Sequence, residues 1–167
     1  MTPGIAVNEC EVGEAKEGLE LIAYLSVCCG IVIGDYNGNT MLGHTMRPEG
    51  SVNGYHIRYF GEYITPRSSI DEMLRRLGDK GIEVQTLGAY LFGCNGSSIA
   101  DDLAREARCV LREHNIPIRL DKTQQSERNP GIRLSVTPKK ITVEFLESLN
   151  IDNRQAEIHL IEAPSKS

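Results

Sequence analysis

The sequence lacks the features by which nucleic-acid-binding, membrane-spanning and secreted proteins are usually recognised. Of its 167 residues, 18 are Lys or Arg and 23 are Asp or Glu, so the net charge is −5 and there is no basic excess to attract nucleic acid or anionic lipid. No apolar run approaches the roughly 20 residues of a membrane span. Residues 1–19 show neither the basic start nor the apolar stretch of a secretory signal. We therefore expect a cytoplasmic protein that neither binds nucleic acid nor inserts into a membrane.

The cysteine pattern argues against two common structural roles. The cysteines are Cys10, Cys28, Cys29, Cys94 and Cys109. An odd number, scattered through a chain long enough for a full core, does not indicate a disulfide framework. No pair of cysteines or histidines has the short spacing of zinc ligands, and no glycine-rich nucleotide-binding fingerprint is present. We therefore expect a reducing environment, no metal and no cofactor.

What the sequence does contain is a series of short apolar runs separated by turn residues. Strands are predicted at 19–25, 29–34, 41–46, 83–92, 117–120, 132–136, 141–145 and, as an edge strand, 155–161. The Asn37-Gly38 pair predicts a hairpin turn between the second and third of these, because it accommodates positive φ at little cost. Residues 48–66 are rich in Gly, Pro and Tyr and predict an irregular loop.

Two helices are predicted among these strands. Ser69 and Glu72 have the spacing of a capping box at the start of the first helix, which the glycines at 78 or 81 can end. Ser98 and Asp101 begin a second helix, which ends near Asn115. Two helices among many hairpin-forming strands indicate an α+β fold in layers rather than a doubly wound sheet.

Cys28 and Cys29 lie at the junction of two predicted strands. Neighbouring side chains in extended backbone point to opposite faces, so one of the two can face a cleft while the other fills the core. A cysteine nucleophile reacts as the thiolate and needs a base nearby. His44, across the predicted hairpin, could supply that base. The alternative is that all three are structural, because free cysteines are among the most buried residues.

The other cysteines and histidines are weaker candidates. Cys94 lies near the predicted start of the second helix, a position that lowers the pKa of a thiol, and it is the second candidate nucleophile. His56, His114 and His159 are expected to be structural, His114 because a cation is favourable at a helix C-terminus.

The segment from Leu21 to Pro48 resembles the CheD-type chemoreceptor glutamine deamidases. Ser26-Val27-Cys28 corresponds to the Gly-Ser-Cys strand end of that family, and His44-Thr45-Met46-Arg47-Pro48 to its His-x-Met-x-Pro element. Asp35 and the Asn-Gly turn lie between these motifs, as in the family, and aligning through Asp35 places Cys28 at the nucleophile. The run from Leu25 to Cys28 is also similar to the Leu-Ser-Gly-Cys of cytotoxic necrotizing factor toxins. Weaker similarity to the family extends over most of the chain.

The resemblance implies a layered α/β/β sandwich with two main helices packed on mostly antiparallel sheets. It implies a single domain over residues 1–167, with an N-terminal segment at 1–18 and a C-terminal edge strand and tail at 147–167. The implied activity is hydrolysis of the side-chain amide of glutamine in a partner protein, with Cys28 as nucleophile, His44 as base and no cofactor or metal. Such enzymes work in the bacterial cytoplasm or, as toxins, after delivery into a host cell.

The sequence departs from the family pattern close to the nucleophile. Ile22 stands where CheD-like enzymes carry a threonine that orients the histidine, and Tyr24 and Val27 replace glycines. We therefore expect a main-chain carbonyl to accept the hydrogen bond of the His44 ring instead. Two alternatives to a deamidase stay open: a CheD-like docking or regulatory module without strong catalysis, and a related Cys-His enzyme such as a transglutaminase.

Overall fold

The computed structural model describes residues 3–8, 11–46, 49–52, 55–58, 61–95, 98–123, 131–146 and 155–161. The strands are β1 Gly4–Ala6, β2 Val12–Glu14, β3 Glu20–Leu25, β4 Cys29–Gly34, β5 Thr40–Thr45, β6 Glu49–Val52, β7 Tyr55–Arg58, β8 Gly88–Gly93, β9 Ile118–Thr123, β10 Gly131–Thr137, β11 Lys140–Leu146 and β12 Gln155–Leu160. The helices are α1 Pro66–Asp79 and α2 Ser98–Glu113, and a 3₁₀ turn covers Val84–Thr86.

Ten of these strands form two five-stranded sheets. The first sheet has the order β1-β3-β10-β11-β12, the second the order β2-β5-β4-β8-β9, and β6 and β7 pair as a separate hairpin. Parallel pairing occurs between β1 and β3 and between β8 and β9, and the other described pairs are antiparallel. Both helices contact the second sheet. The predicted α+β sandwich of helices on mostly antiparallel sheets is therefore confirmed.

The layering produces two separate hydrophobic cores, one on each face of the second sheet. The inter-sheet core contains Leu25, Cys28, Val32, Leu42, Phe92 and Leu134 among others. The helix-side core contains Cys29, Ile31, Ile33, Met73, Cys94 and Leu111 among others. Every residue of β4, β5 and β8 is buried, because these strands are covered on both faces. Burial of each large aliphatic side chain contributes about 1.5–3 kcal/mol.

The first helix begins earlier than its predicted capping box. Thr65 is the N-cap, Pro66 is the first helical residue, and Ser68 completes the reciprocal hydrogen bonds with Thr65. Proline is well suited to the first helical position, where its missing N–H costs nothing. Ser69 and Glu72 therefore lie inside the helix, and the predicted capping box at these residues is wrong.

Two other expectations are corrected. The segment predicted as an irregular loop contains the β6–β7 hairpin. The strand predicted at 83–92 starts at Gly88, because residues 84–86 form the 3₁₀ turn. The first 18 residues contain β1 and β2, the edge strands of the two sheets. The edge strand predicted at the C-terminal end is present as β12, which pairs with β11.

Neither helix in the described part of the chain combines the length and hydrophobicity that crossing a bilayer requires.

Candidate functional site

Cys28 and Cys29 point into different cores. Cys28 is the last residue of the bend that joins β3 to β4, is 8% exposed, and belongs to the inter-sheet core. Cys29 opens β4, is fully buried, and belongs to the helix-side core. The alternation predicted for these neighbours is confirmed. Only Cys28 lies on the side of the sheet that can share a site with residues facing the other sheet.

His44 lies on the same face as Cys28. It follows Leu42 by two positions on β5, and Leu42 contributes to the inter-sheet core. The β4–β5 register pairs His44 with Gly30, two residues after Cys28. Cys28 and His44 are therefore diagonal neighbours across two adjacent strands, an arrangement in which Cα atoms lie about 7–8 Å apart and long side chains can meet.

Two main-chain carbonyls hold His44. Its ring Nδ1 lies 2.9 Å from the carbonyl oxygen of Val7, and its main-chain N–H donates to the carbonyl oxygen of Glu11 at 3.1 Å. Because a carbonyl oxygen can only accept, Nδ1 carries a proton, and in the neutral form of the ring the lone pair is then on Nε2. The expected carbonyl partner of the His44 ring is thus present, and it belongs to Val7.

Nε2 of His44 is buried and receives no hydrogen bond from any described residue. His44 as a whole is 2% exposed, so bulk water does not solvate this nitrogen. In this structure the thiol of Cys28 is therefore not hydrogen-bonded to Nε2. Catalytic hydrogen bonds in free enzymes are often long and shorten only when substrate binds. The arrangement provides a desolvated basic nitrogen on the face that Cys28 occupies.

Ile22 does not take the place of the histidine-orienting threonine of CheD-like deamidases, because it faces the opposite side of β3. On β3, Leu21, Ala23 and Leu25 face the inter-sheet core, and Ile22 alternates with them to the opposite face. Its Cδ1 atom lies within 2.5 Å of where a Cβ on Gly4 would be, on the far side of the first sheet from His44. Position 22 of this chain therefore does not orient His44, and the carbonyl of Val7, the residue that follows β1, does so instead.

Cys94 is not the reactive thiol that its position near α2 predicts. Its pKa is raised, first by a hydrogen bond with the thiol of Cys29 and then by burial. It lies in the helix-side core with no exposed surface. The prediction of a lowered pKa is wrong because the neighbouring thiol and the lack of solvent outweigh the nearby helix. Cys109 is exposed on α2, and Cys10 lies outside the described residues.

The remaining residues singled out in the sequence have local contacts of their own. Nε2 of His114 lies 3.2 Å from Oδ1 of Asp71, and the ring of His159 lies 6.3 Å from that of Phe92. The side chain of His56 is outside the described part.

Asp35 accepts the main-chain N–H groups of Asn37 and Asn39 at 2.8 and 3.0 Å and closes the turn between β4 and β5, at the end of these strands opposite Cys28. Asp35 therefore serves the turn rather than the site.

A cavity of about 360 Å³ lies beside the segment that holds His44. Its lining includes Val7 and Glu11, together with Lys16 and Arg76, but neither Cys28 nor His44. Neither residue of the candidate dyad therefore lines this cavity. No group of three or more His, Cys, Asp or Glu residues able to bind a metal ion occurs in the part of the chain that the structure covers.

Sequence reasoning missed the residues that hold His44. Val7 and Glu11 act through main-chain carbonyls, which leave no trace in side-chain patterns. The sequence signal at this place is a short apolar stretch that includes Val7. It is long enough to indicate a short strand, but it does not indicate that the carbonyl of Val7 contacts His44.

No model of a known protein family matches this sequence, and a comparison with curated proteins finds no match either.

Proposed function

We propose that the protein is a cysteine-dependent deamidase that converts glutamine side chains of a partner protein to glutamate. The observation that carries this proposal is the buried Nε2 of His44, which has no hydrogen-bond partner among the described residues and lies on the face occupied by Cys28. Buried polar atoms in proteins are nearly always hydrogen-bonded, so an exception calls for a role. A base kept ready for a thiol proton is such a role.

The reaction begins with proton transfer from the Cys28 thiol to Nε2 of His44. The thiolate attacks the side-chain carbonyl carbon of glutamine and forms a tetrahedral intermediate. The imidazolium then protonates the amide nitrogen of the glutamine side chain. Ammonia leaves, and a thioester between Cys28 and the substrate remains. Water, deprotonated by the same Nε2, then attacks the thioester, releasing glutamate and restoring the Cys28 thiol. Nδ1 keeps its proton and donates it to the carbonyl oxygen of Val7 throughout, which keeps the ring in one tautomer.

Main-chain N–H groups near Cys28 are suited to stabilising the negative oxygen of the intermediate. The carbonyl oxygen of Ser26 accepts a hydrogen bond from the N–H of Asn95 at 3.0 Å. The carbonyl of Ser26 and the N–H of Val27 belong to the same peptide unit. In a planar trans peptide these two groups point in opposite directions, so the N–H of Val27 is directed away from Asn95. Val27 is 38% exposed, so a substrate can approach this peptide.

The test is intact-mass analysis of candidate bacterial and host proteins after incubation with the enzyme. Each glutamine converted raises the mass of the target by about 1 Da, and peptide mapping locates it. Cys28→Ser is the control and is expected to leave the targets unchanged. Conversion that persists with Cys28→Ser contradicts the proposal.

Adding a primary amine to the same incubation separates deamidation from transglutamination. A transglutaminase transfers the thioester to the amine, so the target gains the mass of the amine minus that of ammonia. A deamidase releases ammonia and gives the increase of about 1 Da whether or not the amine is present. Stable binding to a target whose mass does not change assigns the chain to the docking class.

A further inference from the structure

The bend that carries Cys28 is connected to the end of β8 by two main-chain hydrogen bonds. Regular pairing of β4 with β8 ends at Cys29 and Gly93. Beyond that pair, the N–H of Cys94 donates to the carbonyl of Cys28 at 2.9 Å, and the N–H of Asn95 donates to the carbonyl of Ser26 at 3.0 Å. Both carbonyls that flank Val27 are therefore fixed by residues that follow β8.

These hydrogen bonds require an unusual backbone. Gly93 has φ +86° and Cys94 has φ +55°, both in the left-handed region. Glycine adopts such angles easily, whereas for a residue with a Cβ they are uncommon and persist only where surrounding contacts require them. Cys94 and Asn95 are almost completely buried, so the strained segment is packed in place.

Gly93 also leaves room for the carbonyl of Cys28. A Cβ built on Gly93 would lie 2.4 Å from that oxygen and 3.3 Å from Cβ of Leu25. The first of these contacts is with main-chain atoms, which cannot swing aside as a flexible side chain can. Any side chain at position 93 would therefore displace the peptide unit next to the thiol.

We propose that residues Gly93, Cys94 and Asn95, which we name the β8 clasp, position the nucleophile by fixing the bend from Ser26 to Cys28 at the inter-sheet face. The proposal rests on Cys28 being the nucleophile of the proposed function. It assigns to the clasp a positioning role that acts through the main chain. The thiol of Cys94 takes no part in it.

The test compares Gly93→Ala with Gly88→Ala. Gly88 starts the same strand and has no positive φ, and the three atoms nearest to an added Cβ there all belong to the flexible side chain of Arg119. For each folded variant, the rate of iodoacetamide labelling at Cys28 is measured against pH by peptide mass mapping. The pH midpoint of that profile depends on the base beside the thiol and not on access, so loss of rigidity alone does not move it.

Gly93→Ala is expected to move the midpoint towards that of an ordinary thiol by about one pH unit or more, while Gly88→Ala keeps the wild-type profile. Cys94→Gly, which keeps the N–H and relieves the left-handed strain, is also expected to keep it. A folded Gly93→Ala with the wild-type midpoint overturns the proposal. So does a Cys94→Gly midpoint that moves as far as that of Gly93→Ala.

Amide hydrogen exchange of the wild-type protein tests the clasp even if Gly93→Ala fails to fold. The N–H groups of Cys94 and Asn95 are expected to exchange slowly, as hydrogen-bonded amides do, and fast exchange at both overturns the proposal. None of these measurements uses a substrate. A deamidase test that fails while the labelling profile shifts as expected therefore refutes the proposed function and leaves the clasp intact.

Discussion

The two faces of the second sheet place adjacent cysteines in opposite chemical environments. On the inter-sheet face, Cys28 shares its surroundings with His44, whose Nε2 is buried and has no hydrogen-bond partner in the described chain. On the helix side, Cys29 is covered by apolar helix residues and its thiol is hydrogen-bonded to that of Cys94, whose pKa is raised. The difference shows that the face of the strand, and not the residue type, decides which thiol lies on the same side of the sheet as His44.

The largest expected effect comes from exchanging the two cysteines for serine one at a time. Cys28→Ser is expected to lower deamidation by about 10⁴-fold or more, because removing a nucleophile disables the whole dyad. Cys29→Ser is expected to keep most of the activity and to lose about 1–3 kcal/mol of unfolding free energy, since it buries a hydroxyl among apolar side chains. Ammonia release and urea unfolding measure the two quantities. If Cys29→Ser is inactive and Cys28→Ser is active, the nucleophile is Cys29 and the site lies on the helix side of the sheet.

Removing the proposed base is expected to have the next largest effect. His44→Ala should lower the deamidation rate by about 10²–10⁴-fold, the usual contribution of general acid–base catalysis. In the wild-type protein, iodoacetamide near neutral pH is expected to label Cys28 faster than the other cysteines, and His44→Ala is expected to slow that reaction. Mass mapping of the labelled peptides provides the measurement. Equal labelling of all the cysteines, or faster labelling of Cys94, would contradict the comparison between the two faces.

A change confined to the helix side should alter stability without affecting the thiol of Cys28. Hydrogen bonds from Arg75 and then Arg76 lower the pKa of Glu72 from 4.5 to about 2. Because the folded-state pKa is lowered, the ionised Glu72 contributes its full stabilisation above about pH 4.5 and loses it as the pH falls towards 2. Glu72→Gln is therefore expected to lower the unfolding free energy by about 1–3 kcal/mol at pH 7, with a difference from wild type that shrinks on acidification.

Urea unfolding at several pH values between 7 and 2.5 measures that difference. Labelling of Cys28 at pH 7 is expected to be the same in both folded proteins, because Glu72 lies on α1 and contributes to neither the inter-sheet core nor the hydrogen bonds of His44. A stability difference that grows on acidification would refute the assigned role of the Glu72 carboxylate.

The smallest expected effect is at Ile22, on the outer face of the first sheet. Ile22→Thr introduces the residue type that CheD-like deamidases carry, but its hydroxyl would lie on the far side of the sheet from His44. The deamidation rate is therefore expected to stay within roughly twofold of wild type, as for other substitutions away from a site. Ile22→Ala should lower activity only as far as it loosens packing. A large gain with Ile22→Thr would show that position 22 can reach the histidine.

The fold was predictable where a local pattern is repeated along the chain. The apolar runs of β3, β4, β5, β10 and β11 indicate strands by themselves, and the Asn37-Gly38 turn fixes how β4 and β5 pair. The patterns failed where short elements depend on partners elsewhere. Strands β1 and β2 are three residues long and exist because β3 and β5 offer an edge for them to pair with.

The sequence by itself determined that Cys28 and Cys29 face opposite ways, because the two-residue period of a strand is a property of the chain. It also placed His44 one hairpin away from both. Only the tertiary structure decided which face lies between the sheets and that the carbonyl of Val7, 37 residues from His44, fixes the tautomer of its ring. Such a contact depends on which segments lie next to each other in the folded protein, and it is made by main-chain atoms that every residue carries. No pattern of side chains encodes it.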